Sequence, residues 1–202
     1  PSKPDYISYA NLVYSGENSS SSSDFTKNLF SGNVNTSIEQ GSGSQGQQGI
    51  TTSLNNIINN TGFTVRAGNS NSSMENNWWG TTIESEIQNI IYDWNDDASK
   101  GFIDYDPYLT AASTLAPVSP PKNVVKQSAT GGVTLSWSAN PEADVSGYKI
   151  YYGTYNGYSF ASSVDVGNVT SYTLSGASLS DTIAVTAYDP SANGTDDQTD
   201  GF

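Results

Sequence analysis

Apolar residues in the first eighty positions come as brief clusters set in Asn, Ser and Gly: Leu12-Val13-Tyr14, Leu29-Phe30, Ile57-Ile58 and Trp78-Trp79. Each follows an asparagine: Asn11, Asn28, Asn56 or Asn77. The clusters are too short to bury themselves. Their irregular recurrence, roughly every 20 residues, predicts short strands on stacked coils whose corner loops vary in length. Stacking would pile Leu12, Leu29, Ile57 and Trp78 into one continuous core. Asparagines at equivalent corners would then bond side chain to backbone as ladders. Ser19 to Ser23 and Gly41 to Gly49 read as loops bulging from the coils.

The period changes after Gly80. Ile83, Ile87, Ile90, Ile91 and Trp94 recur at three- and four-residue spacing, which predicts an amphipathic helix near 82–94. Thr81 and Glu84 have the spacing of a capping box at its start. A helix here would cover the end of the stacked core. Thr110 to Pro121 is rich in proline and small residues, so 111–121 reads as a semi-rigid linker.

Beyond it the period becomes two. Val133, Leu135 and Trp137 alternate with Thr134 and Ser136, and Tyr148, Ile150, Tyr152 and then Ile183, Val185, Ala187 repeat the pattern. Gly131-Gly132, Asn140-Pro141, Asn156-Gly157 and Asn193-Gly194 punctuate these runs as turns. Residues 122–202 therefore read as an all-β sandwich. Thr195 to Phe202 holds three Asp and makes a poor last strand. Either the natural chain continues past it, or another chain completes that edge.

Composition narrows the function. Charged residues are 13% of the chain, against a usual share of about 25%. The net charge of −13, with seven Lys and Arg, excludes the basic footprint that nucleic acid requires. No apolar run approaches the roughly 18 residues of a membrane span, so no membrane insertion is expected. A secreted protein of this sequence would be a mature form or an internal fragment. The chain has no cysteine and no histidine, hence neither disulfide nor imidazole base. Sequons begin at Asn18, Asn35, Asn59, Asn71, Asn168 and Asn193 and lend modest support to an extracellular setting.

Two resemblances organise these readings. Asn76-Asn77-Trp78-Trp79-Gly80-Thr81 and Asp104-Tyr105-Asp106-Pro107-Tyr108-Leu109 resemble the C-terminal end of right-handed parallel β-helix proteins of the pectin-lyase-like group. Val133 to Trp137, Asp144 to Gly153, Tyr172 to Leu174 and Ala184 to Asp189 resemble a bacterial fibronectin type III domain, with Trp137 as its central aromatic. The family's tyrosine near the last strand is replaced by Asp181-Thr182-Ile183. The resemblances imply a short right-handed β-helix over 1–110 with a helical cap, joined to a fibronectin III-like sandwich over 122–202.

The candidate chemistry is sparse. Asp93, Asn95, Asp97 and Asp104 occupy positions 1, 3, 5 and 12 of a calcium-loop pattern, with Ala98 where glycine is expected. Calcium is thus the one candidate cofactor, and an ordinary polar loop is the competing reading. β-Helix lyases use a basic residue beside acidic ligands, and the coil region offers Lys3, Lys27 and Arg66. Glycosidases need paired carboxylates, and Asp5, Glu17, Asp24, Glu39 and Glu75 show no common placement. Trp78, Trp79 and Trp94 read as core rather than as sugar platforms. The expectation is a non-catalytic extracellular or cell-surface protein, structural or adhesive. It would self-associate into filaments through the open β-helix end and the sandwich edge, with glycans as further partners. The alternative is the C-terminal part of a secreted polysaccharide lyase or glycoside hydrolase whose catalytic coils lie upstream.

Overall fold

The computed structural model describes residues 12–14, 23–34, 38–40 and 50–189. The chain is mostly β-strand with almost no helix, and it divides into two compact units, Pro1–Ala116 and Pro117–Phe202. The expected strand within Thr195 to Phe202 and the loop at 41–49 lie outside the described residues.

The first unit carries β1 (Leu12–Tyr14), β2 (Ser23–Asp24), β3 (Leu29–Ser31), β4 (Ile38–Gln40), β5 (Ile50–Thr51), β6 (Asn56–Ile58), β7 (Val65–Arg66) and β8 (Ser72–Ser73). The helix α1 (Glu84–Gln88), β9 (Ile91–Tyr92) and β10 (Ile103–Asp104) follow. Every pairing among these strands is parallel. One ladder runs β1-β4-β7-β9 and aligns Leu12, Ile38, Val65 and Ile91. A second comprises β2-β5 and β8-β10, bridged where the Thr52 hydroxyl donates to the Ser73 carbonyl at 2.9 Å. The third pairs β3 with β6 and continues through a bridge from Asn56 to Trp78. The chain visits the three ladders in the same order on each pass.

This arrangement suits the sequence because side chains alternate across each short strand. Ile38, Val65 and Ile91 point into the core, while Arg66 and Tyr92, the next positions after Val65 and Ile91, are only partly buried. The core gathers Ile57, Met74, Trp79, Ile87, Ile103 and Tyr105 around that column. Trp79 and Tyr105 meet edge to face with centroids 6.2 Å apart.

The structure revises the repeat alignment. Leu12 belongs to the first ladder and Leu29 to the third, so they do not stack on one another. Leu29 aligns with Asn56, and Phe30 with Ile57. The asparagine ladder therefore runs through Asn55, one residue earlier than the sequence pattern selects. Asn55 Oδ1 accepts the Asn28 backbone N–H at 2.8 Å and the Asn28 amide at 3.1 Å. Asn77 Oδ1 accepts the corresponding pair from Asn55 at 3.0 and 2.9 Å. A second ladder repeats the motif, Asn60 Oδ1 accepting the Asn33 backbone N–H at 3.0 Å and its side-chain amide at 3.1 Å.

The helix is also shorter than expected. It spans Glu84–Gln88, and Ile91 belongs to β9. The Val65 N–H donates to Ile90 O at 3.1 Å and Ala67 N–H to Tyr92 O at 2.9 Å. Unpaired backbone groups along β7 thus capture the sequence that helical periodicity assigned to the next turn, and a short isolated helix has little to oppose them. Ile87 and Ile91 are both fully buried, so the four-residue spacing reported burial correctly while spanning two elements. Trp94, expected on the apolar face, is 56% exposed. The capping box does not form. Thr81 Oγ1 accepts from the Ile83 N–H at 3.1 Å and its hydroxyl donates to Glu86 at 2.6 Å, while Ile83 occupies the N-cap position without a side-chain cap. Because β9 and β10 follow it, α1 is a connection within the ladders.

The segment 111–121 is held rather than free. The Ser113 N–H donates to Asn56 Oδ1 at 2.7 Å, the Asn56 amide donates back to Ser113 O at 3.0 Å, and Ala116 is buried in the first unit. Val118 joins the core of the second unit, where the Ser119 N–H donates to Glu142 at 2.9 Å.

The second unit holds β11 (Lys122–Ala129), β12 (Gly132–Ser138), β13 (Gly147–Tyr155), β14 (Phe160–Gly167), β15 (Ser171–Ser175) and β16 (Ala184–Tyr188). They form two three-stranded antiparallel sheets, β11-β12-β15 and β14-β13-β16. The period-two residues Val133, Leu135 and Trp137 are buried, as are Tyr148 and Ile150. One core takes Val133, Leu135, Trp137 and Leu174 from the first sheet and Tyr148, Ile150 and Ala187 from the second. The Trp137 and Tyr148 rings lie 5.2 Å apart at its centre.

Candidate functional site

The outward position of the first ladder carries the most distinctive chemistry of the first unit. Val65 and Ile91 point inward, so Arg66 and Tyr92, which pair in register, project outward on neighbouring strands. Phe63, two residues before Val65, joins them. Its ring meets Tyr92 edge to face at 5.0 Å, and the Arg66 guanidinium carbon lies 5.2 Å from the Phe63 centroid and 4.8 Å from that of Tyr92. A delocalised, always-charged guanidinium over two ring faces is held by cation–π attraction.

The acidic loop adjoins this cluster. The Tyr92 hydroxyl donates to Asp97 Oδ2 at 3.5 Å. Asp97 Oδ1 accepts the Ser99 backbone N–H at 2.9 Å. That backbone bond is the main reason its carboxyl sits below the usual carboxylate range, with the Ser99 side chain and Lys100 adding to it. Asp97 is therefore an anion at neutral pH and no proton donor.

The structure distributes the four calcium-loop residues differently from the pattern. Asp93 is fully buried, Oδ1 accepting the Asn95 N–H at 2.9 Å and Oδ2 the Ile103 N–H at 3.0 Å. Asp93 is thus a clamp that ties the loop to β10. Asn95 is exposed, and Asp104, also exposed, accepts the Asp106 N–H at 3.4 Å. Among the described residues no group of three or more carboxylates is placed to hold a metal ion. Asp93 and Asp97 each satisfy backbone donors within and beside this loop.

The loop is further fixed at Gly101. Its N–H donates to Gly68 O at 2.8 Å and its carbonyl accepts from Trp94 N–H at 3.0 Å. A Cβ at Gly101 would collide with the Ser70 carbonyl, so only glycine permits this approach.

The described carboxylates considered for glycoside cleavage stand on or beside different strands. Asp24 lies on β2 and Glu39 on β4, in separate ladders, and Glu75 follows β8. Asp5 and Glu17 lie outside the described residues, as does Lys3. Phe63 and Tyr92 escape a reading based on motifs. The signal available was periodic: Arg66 and Tyr92 each follow a β-branched aliphatic residue at the interval of the first ladder.

No protein-family model, no curated protein and no solved structure matches the chain.

Proposed function

We propose that the chain is a non-catalytic extracellular or cell-surface protein with a structural and adhesive role. In this reading the first unit is a short right-handed parallel β-helix and the second a fibronectin III-like sandwich. The three ladders visited in constant order support the β-helix, and two three-stranded sheets sharing one core support the sandwich. The observation that carries the role is the pair of asparagine ladders. Asn55 and Asn77 are almost wholly buried, and their amides bond along the stacking direction. These buried amides serve cohesion between coils, which suits a load-bearing or display element. The same stacking supports self-association, because parallel coils extend by adding strands along the stacking direction.

The direct test is incubation of the purified chain with a panel of plant and microbial polysaccharides. The expected result is no new reducing ends and no unsaturated uronate products. Cleavage by this chain would replace the reading with the enzymatic one. That second reading, a C-terminal portion of a lyase or hydrolase with catalytic coils upstream, is favoured by one observation. Arg66 and Tyr92 stand outward on the longest ladder, where an extended groove would run. Light scattering across a concentration series tests assembly separately, with growth of the mean mass expected.

A further inference from the structure

One outward position of the third ladder is sealed from solvent while its neighbours are not. Ile57 joins the core, so Asn56 before it points outward on β6. Leu29 and Trp78, which align with Asn56 on either side, are partly buried, yet Asn56 is wholly buried. Ser113, in the segment 110–116, lies over it. We infer that this segment is a releasable strap: it opens while both cores stay folded, and opening turns it from a part of the first unit into free connection to the second.

The strap runs between two firm anchors. Before it, the Leu109 N–H donates to Asn77 O at 2.9 Å, and Tyr108 packs on the core of the first unit with its hydroxyl donating to Thr82 O at 3.2 Å. After it, Val118 lies in the core of the second unit. Its middle is clasped by a side chain. The Asn56 carboxamide takes both backbone groups of Ser113, accepting the N–H at Oδ1 at 2.7 Å and donating from Nδ2 to the carbonyl at 3.0 Å. A carboxamide matches a backbone in this way because it offers a donor and an acceptor side by side. Within the strap, the Ala116 N–H donates to Ser113 O and the Leu115 N–H to Ser113 Oγ, both at 3.3 Å. Those two bonds travel with the strap and do not hold it down.

Little apolar surface opposes opening. Thr110, Ala111, Thr114 and Leu115 are exposed, and Ala116 buries a single methyl group. The core of the first unit, by contrast, gathers side chains as large as Ile57, Met74 and Trp79. Once the strap lifts, water can replace both Ser113 bonds, so the net contribution of the clasp is small. Few buried apolar contacts and a side-chain clasp place the strap at the low end of local opening energies, well below either core. Its extended length, about 24 Å over residues 110–116, bounds the slack that opening releases.

Native-state proteolysis of the full chain with thermolysin tests the inference, because cleavage requires a locally opened segment and reports its population. Within residues 50–189 the first cut is expected inside the strap, before Leu115, leaving 50–109 and 118–189 intact. Asn56→Ala should speed that cut about tenfold. Ser113→Pro removes the N–H donor from the strap side and leaves β6 untouched. It should speed the cut several-fold, with circular dichroism unchanged.

An uncut strap, or one cut only together with sites inside 50–109 or 118–189, would overturn the inference, since the strap would then open only with a whole unit. Parental cleavage as fast as that of a synthetic 108–118 peptide would overturn it by showing that the strap is never closed. Equal rates in the parent and Ser113→Pro would overturn it too, because the clasp would hold nothing. None of these outcomes bears on polysaccharide cleavage, so the structural reading fails or survives by its own assay.

Discussion

At the scale of single residues, the buried asparagines carry more of the architecture than their polarity suggests. Asn55 connects three turns of chain: its Oδ1 accepts from Asn28, and its amide donates to Asn77 and to Phe25 O at 2.7 Å. Truncation to alanine would orphan donors and acceptors on both neighbours, each costing about 1–3 kcal/mol when buried. Asn55→Ala should therefore lower the urea stability of the first unit by at least about 2 kcal/mol. Asn28→Ala, at an exposed position of the ladder, should cost under about 1 kcal/mol. Equal costs would mean that the ladder is not cooperative. Another residue-level device lies in the second unit, where the Tyr188 hydroxyl donates to Asp165 Oδ2 at 2.9 Å. A Cβ at Gly147 would meet that hydroxyl at 2.5 Å, so glycine is what admits the ring. Hydrogen bonding to Asp165, then burial and the Asp165 charge, raises the phenol above the ordinary tyrosine range. The favoured form is neutral. Its stabilisation is fully present below the unfolded tyrosine value of about 10 and is lost as pH rises through the folded value. Tyr188→Phe should be less stable than the parent at neutral pH, and the gap should close in alkali. A gap that widens above pH of about 10 would reverse the sign and defeat this account.

At the scale of elements, the region after Gly80 shows strand pairing overriding helical periodicity. Burial, not helix propensity, ranks its side chains. Ile87 is fully buried in the core, whereas Trp94 is 56% exposed although both fit one helical stripe. Ile87→Ala should destabilise by about 2–5 kcal/mol through the cavity it leaves. Trp94→Ala should stay within about 0.5 kcal/mol of the parent. Thermal or urea unfolding followed by far-ultraviolet dichroism measures both. A large loss from Trp94→Ala would restore the longer amphipathic helix and remove β9 from the ladder.

At the scale of the whole molecule, each unit has its own core, one built from parallel ladders and one from two antiparallel sheets. Independent cores predict two transitions in scanning calorimetry, and Leu135→Ala, in the core of the second unit, should lower only one of them. A single transition shifted as a whole would show the units unfolding together. Calcium or chelator should leave both midpoints in place, since Asp93 and Asp97 already bond backbone N–H groups. A rise in either midpoint with calcium would reopen the loop as a metal site.

Sequence alone determined the all-β character and the inward residues of the second unit, because period-two alternation is local: Val133, Leu135 and Trp137 are buried where the pattern puts them. It also announced that asparagines would bond from one coil to the next, since few other residues offer both donor and acceptor at a corner. Only the tertiary structure decided which asparagines. Asn55 rather than Asn56 carries the ladder, because parallel register is set by what lies about 27 residues away and not by neighbours in the chain. The same non-local choice drew Ile91 from a helix into β9 and set Arg66 beside Tyr92. It also placed Asp93 where its carboxylate accepts the Ile103 N–H, ten residues on. Local periodicity tells which side chains seek burial; the partner strand, unknown until the chain has folded, decides the element in which they find it.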